Sequence, residues 1–106
     1  MVFDYRKSGY MISNSDQKLI ESKFTKLKKF SPLLTDESVK FHINILRGVR
    51  HQSPHFGLRV RLTLPKKPLS ARASGKTLAD AVDEVERKLS IQIRELQSKK
   101  SARDKL

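Results

Sequence analysis

One apolar stripe near the end of the sequence constrains the fold more than any other feature. Its members recur at helical spacing: Leu78, Val82, Val85, Leu89, Ile93 and Leu96. The positions between them are mostly polar or charged, so only one side of this helix is suited to burial. Because such a helix gains most of its stability from packing, the chain must supply an apolar surface that covers the stripe.

The covering surface is predicted to be a β-sheet, because the central segments alternate apolar and polar residues. The inward positions of two strands are Val39, Phe41, Ile43 and Ile45, then Phe56, Leu58, Val60, Leu62 and Leu64. The residues Arg47–His55 between them are predicted to form a polar loop, and Pro65–Pro68 a turn. A further strand places Leu69, Ala71 and Ala73 inward, and its small side chains allow a helix to pack closely.

The N-terminal part predicts a short strand followed by a helix. Phe3 and Tyr5 occupy alternate positions, as in a half-buried strand. The polar run Ser13–Asp16 is typical of a helix start, and residues 17–30 then follow the helical period. The core side of this helix carries Ile20, Phe24 and Leu27. Pro32 ends the helix, since the residue before a proline avoids the α conformation.

These elements predict the order β-α-β-β-β-α and the fold class α+β. Each helix is apolar on one side only, so both are expected on one face of a four-stranded sheet. The first strand reaches the second through a helix and should pair with it in parallel. With 106 residues the chain has room for one domain. We expect that domain to span residues 1–100 and to be followed by a short flexible end, 101–106.

The charge balance narrows the class of partner. Lys and Arg total 23 against 11 Asp and Glu, a formal net charge of +12. A surplus of this size on a small domain attracts polyanions, of which nucleic acid is the commonest and an acidic membrane surface the next. Aromatic residues make up 7% of the chain and mostly occupy core positions, which leaves few to stack on bases. Recognition is therefore expected to depend on RNA shape and phosphate groups.

The candidate RNA-binding residues are basic side chains on the outward sides of the two helices. They are Lys18, Lys23, Lys26 and Lys29 on the first, and Arg87, Lys88, Arg94 and Lys99 on the last. A strand and the central loop could extend this surface with Arg47, Arg50, His51, Arg59 and Arg61. The alternative interpretation is an ordinary solvated surface. The first helix favours binding, because it has no acidic residue after Glu21 to offset its lysines.

A nucleotide site is not supported, although Ser74–Thr77 follows a strand and precedes a helix as a P-loop does. The position of that motif's first glycine holds Ser70. Gly75 is therefore interpreted as a turn residue and Thr77 as a helix N-cap.

Catalytic and metal sites are not supported either. No cysteine or carboxylate lies at metal-ligand spacing from any of the three histidines, which are His42, His51 and His55. Acidic residues occur near the start of the last helix, where the helix dipole favours negative charge: Asp80, Asp83, Glu84 and Glu86. We expect a protein that is not an enzyme and that uses no cofactor, metal or small-molecule substrate.

The compartment is expected to be the cytoplasm. The chain contains 0 cysteines, which fits a reducing environment. Its N-terminus lacks the apolar run of a signal peptide, and no stretch approaches the roughly 20 apolar residues of a membrane span. No membrane partner is expected, and the protein should be a monomer when it is not bound to its target.

Several short segments occur in order along the chain: residues 12–13, 23–30, 73–76, 81–83 and 88–96. Together they resemble the short ribosome hibernation promoting factors and ribosome-associated subunit-interface inhibitors, the sigma-54 modulation protein family. The resemblance implies a β-α-β-β-β-α fold similar to double-stranded-RNA-binding domains. It also implies binding to 16S rRNA at the decoding region of the small ribosomal subunit, including in the 70S ribosome. There the protein would block mRNA and tRNA and inhibit translation in idle or stressed cells.

On matching positions, the resemblance implies rRNA contacts for Lys23, Lys26, Lys29, Lys88 and Lys99. The chain departs from the family at Thr77 and Ala79, where Asp and Tyr are usual, and at Ile91, where many members carry a basic residue. Ile91 is expected to be exposed. The second domain and the acidic tail of some members are expected to be absent. Two alternatives stay open, a general double-stranded-RNA binder and a regulator that binds another protein, which would need an exposed apolar patch.

Overall fold

The computed structural model describes residues 1–6, 12–35, 38–50, 52–64 and 67–104, and their side chains except those at 33, 35, 49, 50, 54 and 97–104. The strands are β1 (Val2–Arg6), β2 (Lys40–Arg50), β3 (Ser53–Thr63) and β4 (Leu69–Gly75). The α-helices are α1 (Asn14–Thr25) and α2 (Leu78–Asp104), and short 3₁₀ turns cover Lys26–Phe30 and Pro32–Thr35. The predicted order β-α-β-β-β-α is confirmed.

The strands form one four-stranded sheet in the order β1-β2-β3-β4. β1 pairs with β2 in parallel, as predicted, and the other two pairings are antiparallel. The apolar stripes of both helices pack with the inward residues of the sheet in one core, so both helices lie on the same face. We call the sheet surface that they leave uncovered the outer face.

The core is the one that the alternating and helical patterns predict. Phe24 of α1 stacks on Phe41 of β2 with ring centroids 5.5 Å apart, and Phe41 stacks in turn on Phe3 of β1 at 5.1 Å. Leu89 and Ile93 of α2 are buried in the same core. The three aromatic rings therefore connect the edge strand, the sheet and the first helix, which fixes where the exposed side of α1 lies.

The first helix is shorter than predicted. The helical pattern of residues 17–30 predicts one continuous helix, but α1 ends at Thr25 and the chain continues as the 3₁₀ turn Lys26–Phe30. The tighter turn comes immediately before Ser31 and Pro32, where an α-helix cannot continue. Leu27 remains buried despite the change, so the core is preserved.

The predicted polar loop Arg47–His55 is wrong. β2 and β3 stay paired as far as Arg50 and Ser53, so only two residues of the sequence lie between the strands. Gln52 has a φ of 65°, the left-handed conformation that tight turns require. Strand pairing persists because the backbone makes the hydrogen bonds. A polar side chain is tolerated where the strand is exposed, as at Arg47.

The end of α2 differs from the prediction, and part of a predicted turn lies outside the described residues. α2 continues to Asp104, beyond the residue 100 at which the sequence pattern ended the domain. The division into a domain at 1–100 and a flexible end at 101–106 stays a prediction. The predicted turn Pro65–Pro68 lies partly outside the described residues, since these resume at Lys67.

Both predicted helix starts are confirmed. The Ser13 hydroxyl accepts a hydrogen bond from the Asp16 backbone N–H at 3.1 Å, and the Thr77 hydroxyl accepts one from the Asp80 N–H at 3.1 Å. Each cap satisfies a backbone donor that the first helical turn leaves without a partner. Thr77 is therefore a helix cap, as interpreted from the sequence.

Gly75 has a steric role at the start of α2. A Cβ atom at this position would lie 2.8 Å from Asp80 Cβ and 3.3 Å from the Ala81 nitrogen. We expect Gly75→Ala to lower the free energy of unfolding by about 1–3 kcal/mol, because β4 and α2 would have to separate. Gly48→Ala is the matched control, since nothing lies within 4 Å of a Cβ built there. Equal urea midpoints for the two variants would contradict this packing.

Candidate nucleic-acid interface

The exposed sides of α1, the Lys26–Phe30 turn and α2 form one continuous side of the molecule, which we call the helix surface. Most of the predicted RNA-binding side chains are exposed there: Lys18, Lys26, Lys29, Arg87 and Arg94. Lys23 and Lys88 are half-buried. Lys99 lies in α2, but its side chain is outside the described part of the structure.

The 3₁₀ turn determines how the lysines after α1 are arranged. With about three residues per turn, side chains three positions apart are eclipsed. Lys26 and Lys29 therefore lie side by side on the exposed side, while Leu27 is buried and Phe30 half-buried. Lys28 is also exposed, which makes it an additional candidate contact that sequence analysis did not select. No acidic residue occurs within Lys26–Phe30.

The Phe30 ring brings together two of the predicted residues that are far apart in the chain. The Arg94 guanidinium carbon lies 4.4 Å from the ring centroid, and Lys29 Nζ lies 5.0 Å from it. Cations over an aromatic face are attracted by its quadrupole. The ring thus positions one cation from the turn and one from α2 at the same place. The local sequence does not indicate this role of Phe30.

Lys23 connects the two helices. Its Nζ lies 2.9 Å from Asp83 Oδ1 of α2, and the side chains are 32% and 57% exposed. The hydrogen bond to Asp83, together with its negative charge, raises the pKa of Lys23. The Asp83 carboxylate already offsets this lysine, so Lys23 is a weaker candidate for phosphate binding than Lys26 or Lys29.

Arg87 and Lys88 also have partners within the protein. Arg87 donates to both carboxylate oxygens of Glu84, with Nε 3.2 Å from Oε2, and this bond lowers the pKa of Glu84 and raises that of Arg87. Lys88 Nζ donates to the Arg72 carbonyl oxygen of β4 at 2.8 Å.

Four other predicted cations, whose side chains the structure describes, have no such offset. Among the described residues, no carboxylate oxygen lies within 4.0 Å of Lys18, Lys26, Lys29 or Arg94. These four, together with exposed Lys28, form the part of the helix surface best suited to phosphate groups.

Arg59 and Arg61 do not extend this surface, which corrects the prediction. Their neighbours in β3, Leu58, Val60 and Leu62, are buried under the helices. Because side chains alternate along a strand, both arginines point to the outer face. Arg47 lies in the long hairpin with its guanidinium carbon 5.8 Å from the Phe56 ring centroid. The side chain of Arg50 and the whole of His51 lie outside the described residues.

His42 and His55 lie at different ends of the β2–β3 pair. His42 lies on the outer face, with Nε2 3.2 Å from the Thr63 hydroxyl and Nδ1 3.5 Å from Asp4 Oδ2. His55 pairs with Gly48 in the hairpin. Among the residues that the structure describes, no three His, Cys, Asp or Glu side chains cluster as metal ligands would.

Ile91 is 41% exposed, as expected for a residue opposite the core stripe. Two other large apolar residues are similarly exposed, Leu46 at 54% and Val2 at 45%, but they belong to strands and not to the helix surface. In the described part of the chain, no helix has the length and apolar composition needed to cross a membrane.

Solved structures share this fold at low sequence identity. The N-terminal domain of Thermus thermophilus Protein Y superimposes with a TM-score of 0.68 at 14% identity, covering 90% of this chain and 94% of that domain. A ribosomal subunit interface protein from Coxiella burnetii superimposes with a TM-score of 0.73 at 21% identity, covering 92% of this chain and 99% of that protein. No curated protein matches the chain by sequence.

The family assignment comes from a match to a sequence model that covers nearly the whole chain. The model describes the sigma 54 modulation protein and S30EA ribosomal protein family, and it matches residues 5–101. The match includes β2 to β4 and the elements that form the helix surface, which are α1, the Lys26–Phe30 turn and most of α2. The chain belongs to the sigma 54 modulation protein and S30EA ribosomal protein family.

Proposed function

We propose that this protein is a ribosome hibernation factor that binds the small ribosomal subunit and inhibits translation by steric obstruction. The observation that carries the proposal is the group of cations at the end of α1 and on α2, Lys26, Lys29 and Arg94. They are exposed, and the described residues offer them no carboxylate. Family membership identifies the ribosome as the polyanion that such a surface would meet.

The binding mode follows from the chemistry of these side chains. Ammonium and guanidinium groups donate hydrogen bonds to phosphate oxygens and release counterions from the RNA. The helix surface presents few aromatic side chains for stacking, because Phe24 is buried and Phe30 is held beneath Lys29 and Arg94. The protein would therefore recognise the position of phosphates in folded rRNA, with little dependence on base identity.

We place the binding site on 16S rRNA at the decoding region, in free small subunits and in the 70S ribosome. A folded domain at that place would occupy the path of mRNA and tRNA and prevent initiation without making or breaking a bond. The proposed action needs no catalysis, cofactor or small-molecule substrate. We further propose that the protein works in the cytoplasm and is a monomer when it is off the ribosome.

Sedimentation of purified protein with ribosomal particles tests this function. At low salt we expect the protein to sediment with small subunits and 70S ribosomes, not with large subunits, and to inhibit translation in a purified system. A parallel assay with a synthetic RNA duplex separates the first alternative, because a general double-stranded-RNA binder would bind both targets equally. If the protein bound another protein and did not bind ribosomal particles, the result would support the second alternative, a regulator that binds another protein.

A further inference from the structure

The outer face of the sheet carries a second cluster of cations, on the side opposite the helix surface. Its members are Arg6, Arg59, Arg61 and Arg72, which we call the outer arginine cluster; all are exposed. We propose that this cluster binds a second segment of RNA backbone, so that the domain is held between two RNA segments. The inference rests on the proposed function for its ligand, ribosomal RNA, whereas the location of the site comes from the sheet itself.

The strand register aligns the cluster across the whole sheet. Arg6 of β1 pairs with Asn44 of β2, Asn44 pairs with Arg59 of β3, and Arg59 pairs with Arg72 of β4. With strands about 4.8 Å apart, this row extends roughly 14 Å. Arg61 lies two residues further along β3, opposite His42 on one side and Ser70 on the other. Arg6, Arg59 and Arg61 line one shallow groove with His42 and Asn44.

The arrangement is unfavourable for the folded protein alone. Arg59 and Arg72 are directly opposite each other in an antiparallel pair, where like charges destabilise a sheet. Within the described strands, Asp4 is the only acidic residue on the outer face, and it lies beside His42. No described carboxylate oxygen comes within 4.0 Å of any arginine in the cluster. An anionic partner would remove this repulsion.

RNA backbone fits the cluster better than an acidic protein segment does. Guanidinium groups bind phosphates through two parallel hydrogen bonds, and a row of this length faces more than one anion at regular spacing. A nucleic-acid strand presents such a repeat without interruption. Since the helix surface is on the opposite side of the sheet, one RNA segment cannot satisfy both.

The first experiment compares Arg59→Gln/Arg72→Gln with the wild-type protein for binding to purified small subunits. We expect affinity to fall at least about tenfold and the slope of log affinity against log salt to decrease by about two, one for each lost phosphate contact. The melting temperature should stay the same or rise, because the variant removes a like-charge pair. Unchanged affinity and slope would overturn the proposal, and a lowered melting temperature would reassign these arginines to stability.

The second experiment locates the contact with a photo-crosslinking residue at Ser70, which is exposed beside Arg61, and at Thr25, which is exposed beside Lys26 on the helix surface. We expect both positions to crosslink to 16S rRNA, at different rRNA segments. Crosslinks from Thr25 alone, or crosslinks from Ser70 to a ribosomal protein, would reject the outer site and leave the proposed function intact. If neither position crosslinks to RNA, the proposed function itself fails.

Discussion

Raising monovalent salt from about 50 to 200 mM should weaken binding to small subunits by roughly 10³- to 10⁵-fold. The reason is counterion release, since each phosphate that a Lys or Arg neutralises adds a little under one to the salt slope. The helix surface offers five cations, Lys18, Lys26, Lys28, Lys29 and Arg94. Five phosphate contacts alone would lower the affinity by roughly several hundredfold over this range of salt. The four residues of the outer arginine cluster raise the number of available contacts to nine. With nine contacts, the expected loss of affinity is within the range of roughly 10³- to 10⁵-fold.

The measurement is an affinity titration at constant magnesium, with the circular dichroism spectrum recorded at each salt concentration. A constant spectrum shows that salt acts on the complex and not on the fold. Because the slope reports the number of phosphates, it also distinguishes binding by one surface from binding by two. An affinity that does not change with salt would contradict the electrostatic basis of the interface.

The core of this fold could be predicted from the sequence because its buried apolar residues recur at the regular spacing of helices and strands. The α2 stripe from Leu78 to Ile93 is buried, as are the alternating apolar residues of β2. The end of the hairpin has no such pattern of apolar residues. Around Leu46 and Arg47 both sides of the strand are exposed, so backbone pairing continues without an apolar pattern to reveal it.

The candidate site was predictable in composition but not in its pairings. Lys23 with Asp83, and Phe30 with Arg94, join elements distant in sequence, and no local spacing indicates such contacts. The outer face is different, because its location was implicit in the pattern. Once Leu58 and Val60 face the helices, Arg59 must face away from them. Grouping Arg59 with the helix lysines was thus an error of geometry that strand alternation could have prevented.

Reversing the two lysines of the 3₁₀ turn should have the largest effect of any double substitution on the helix surface. We expect Lys26→Glu/Lys29→Glu to lower affinity for small subunits by at least about a hundredfold, because two phosphate contacts are replaced by two repulsions. Both side chains are exposed, so most of the fold should be unaffected. The loss of the Lys29 contact with Phe30 should cost about 0.5–1 kcal/mol of stability.

The matched control is Lys67→Glu/Lys76→Glu, which changes the net charge equally at two exposed lysines outside both basic surfaces. It reports the effect of overall charge, which reaches the RNA only through the screened long-range potential and should change affinity by less than about tenfold. Inhibition of translation should follow the same order, with wild type and control close together and the turn variant weak. Equal losses in the two variants would show that net charge, and not the position of Lys26 and Lys29, governs binding. Full inhibition by the folded turn variant would mean that these lysines are ordinary solvated groups.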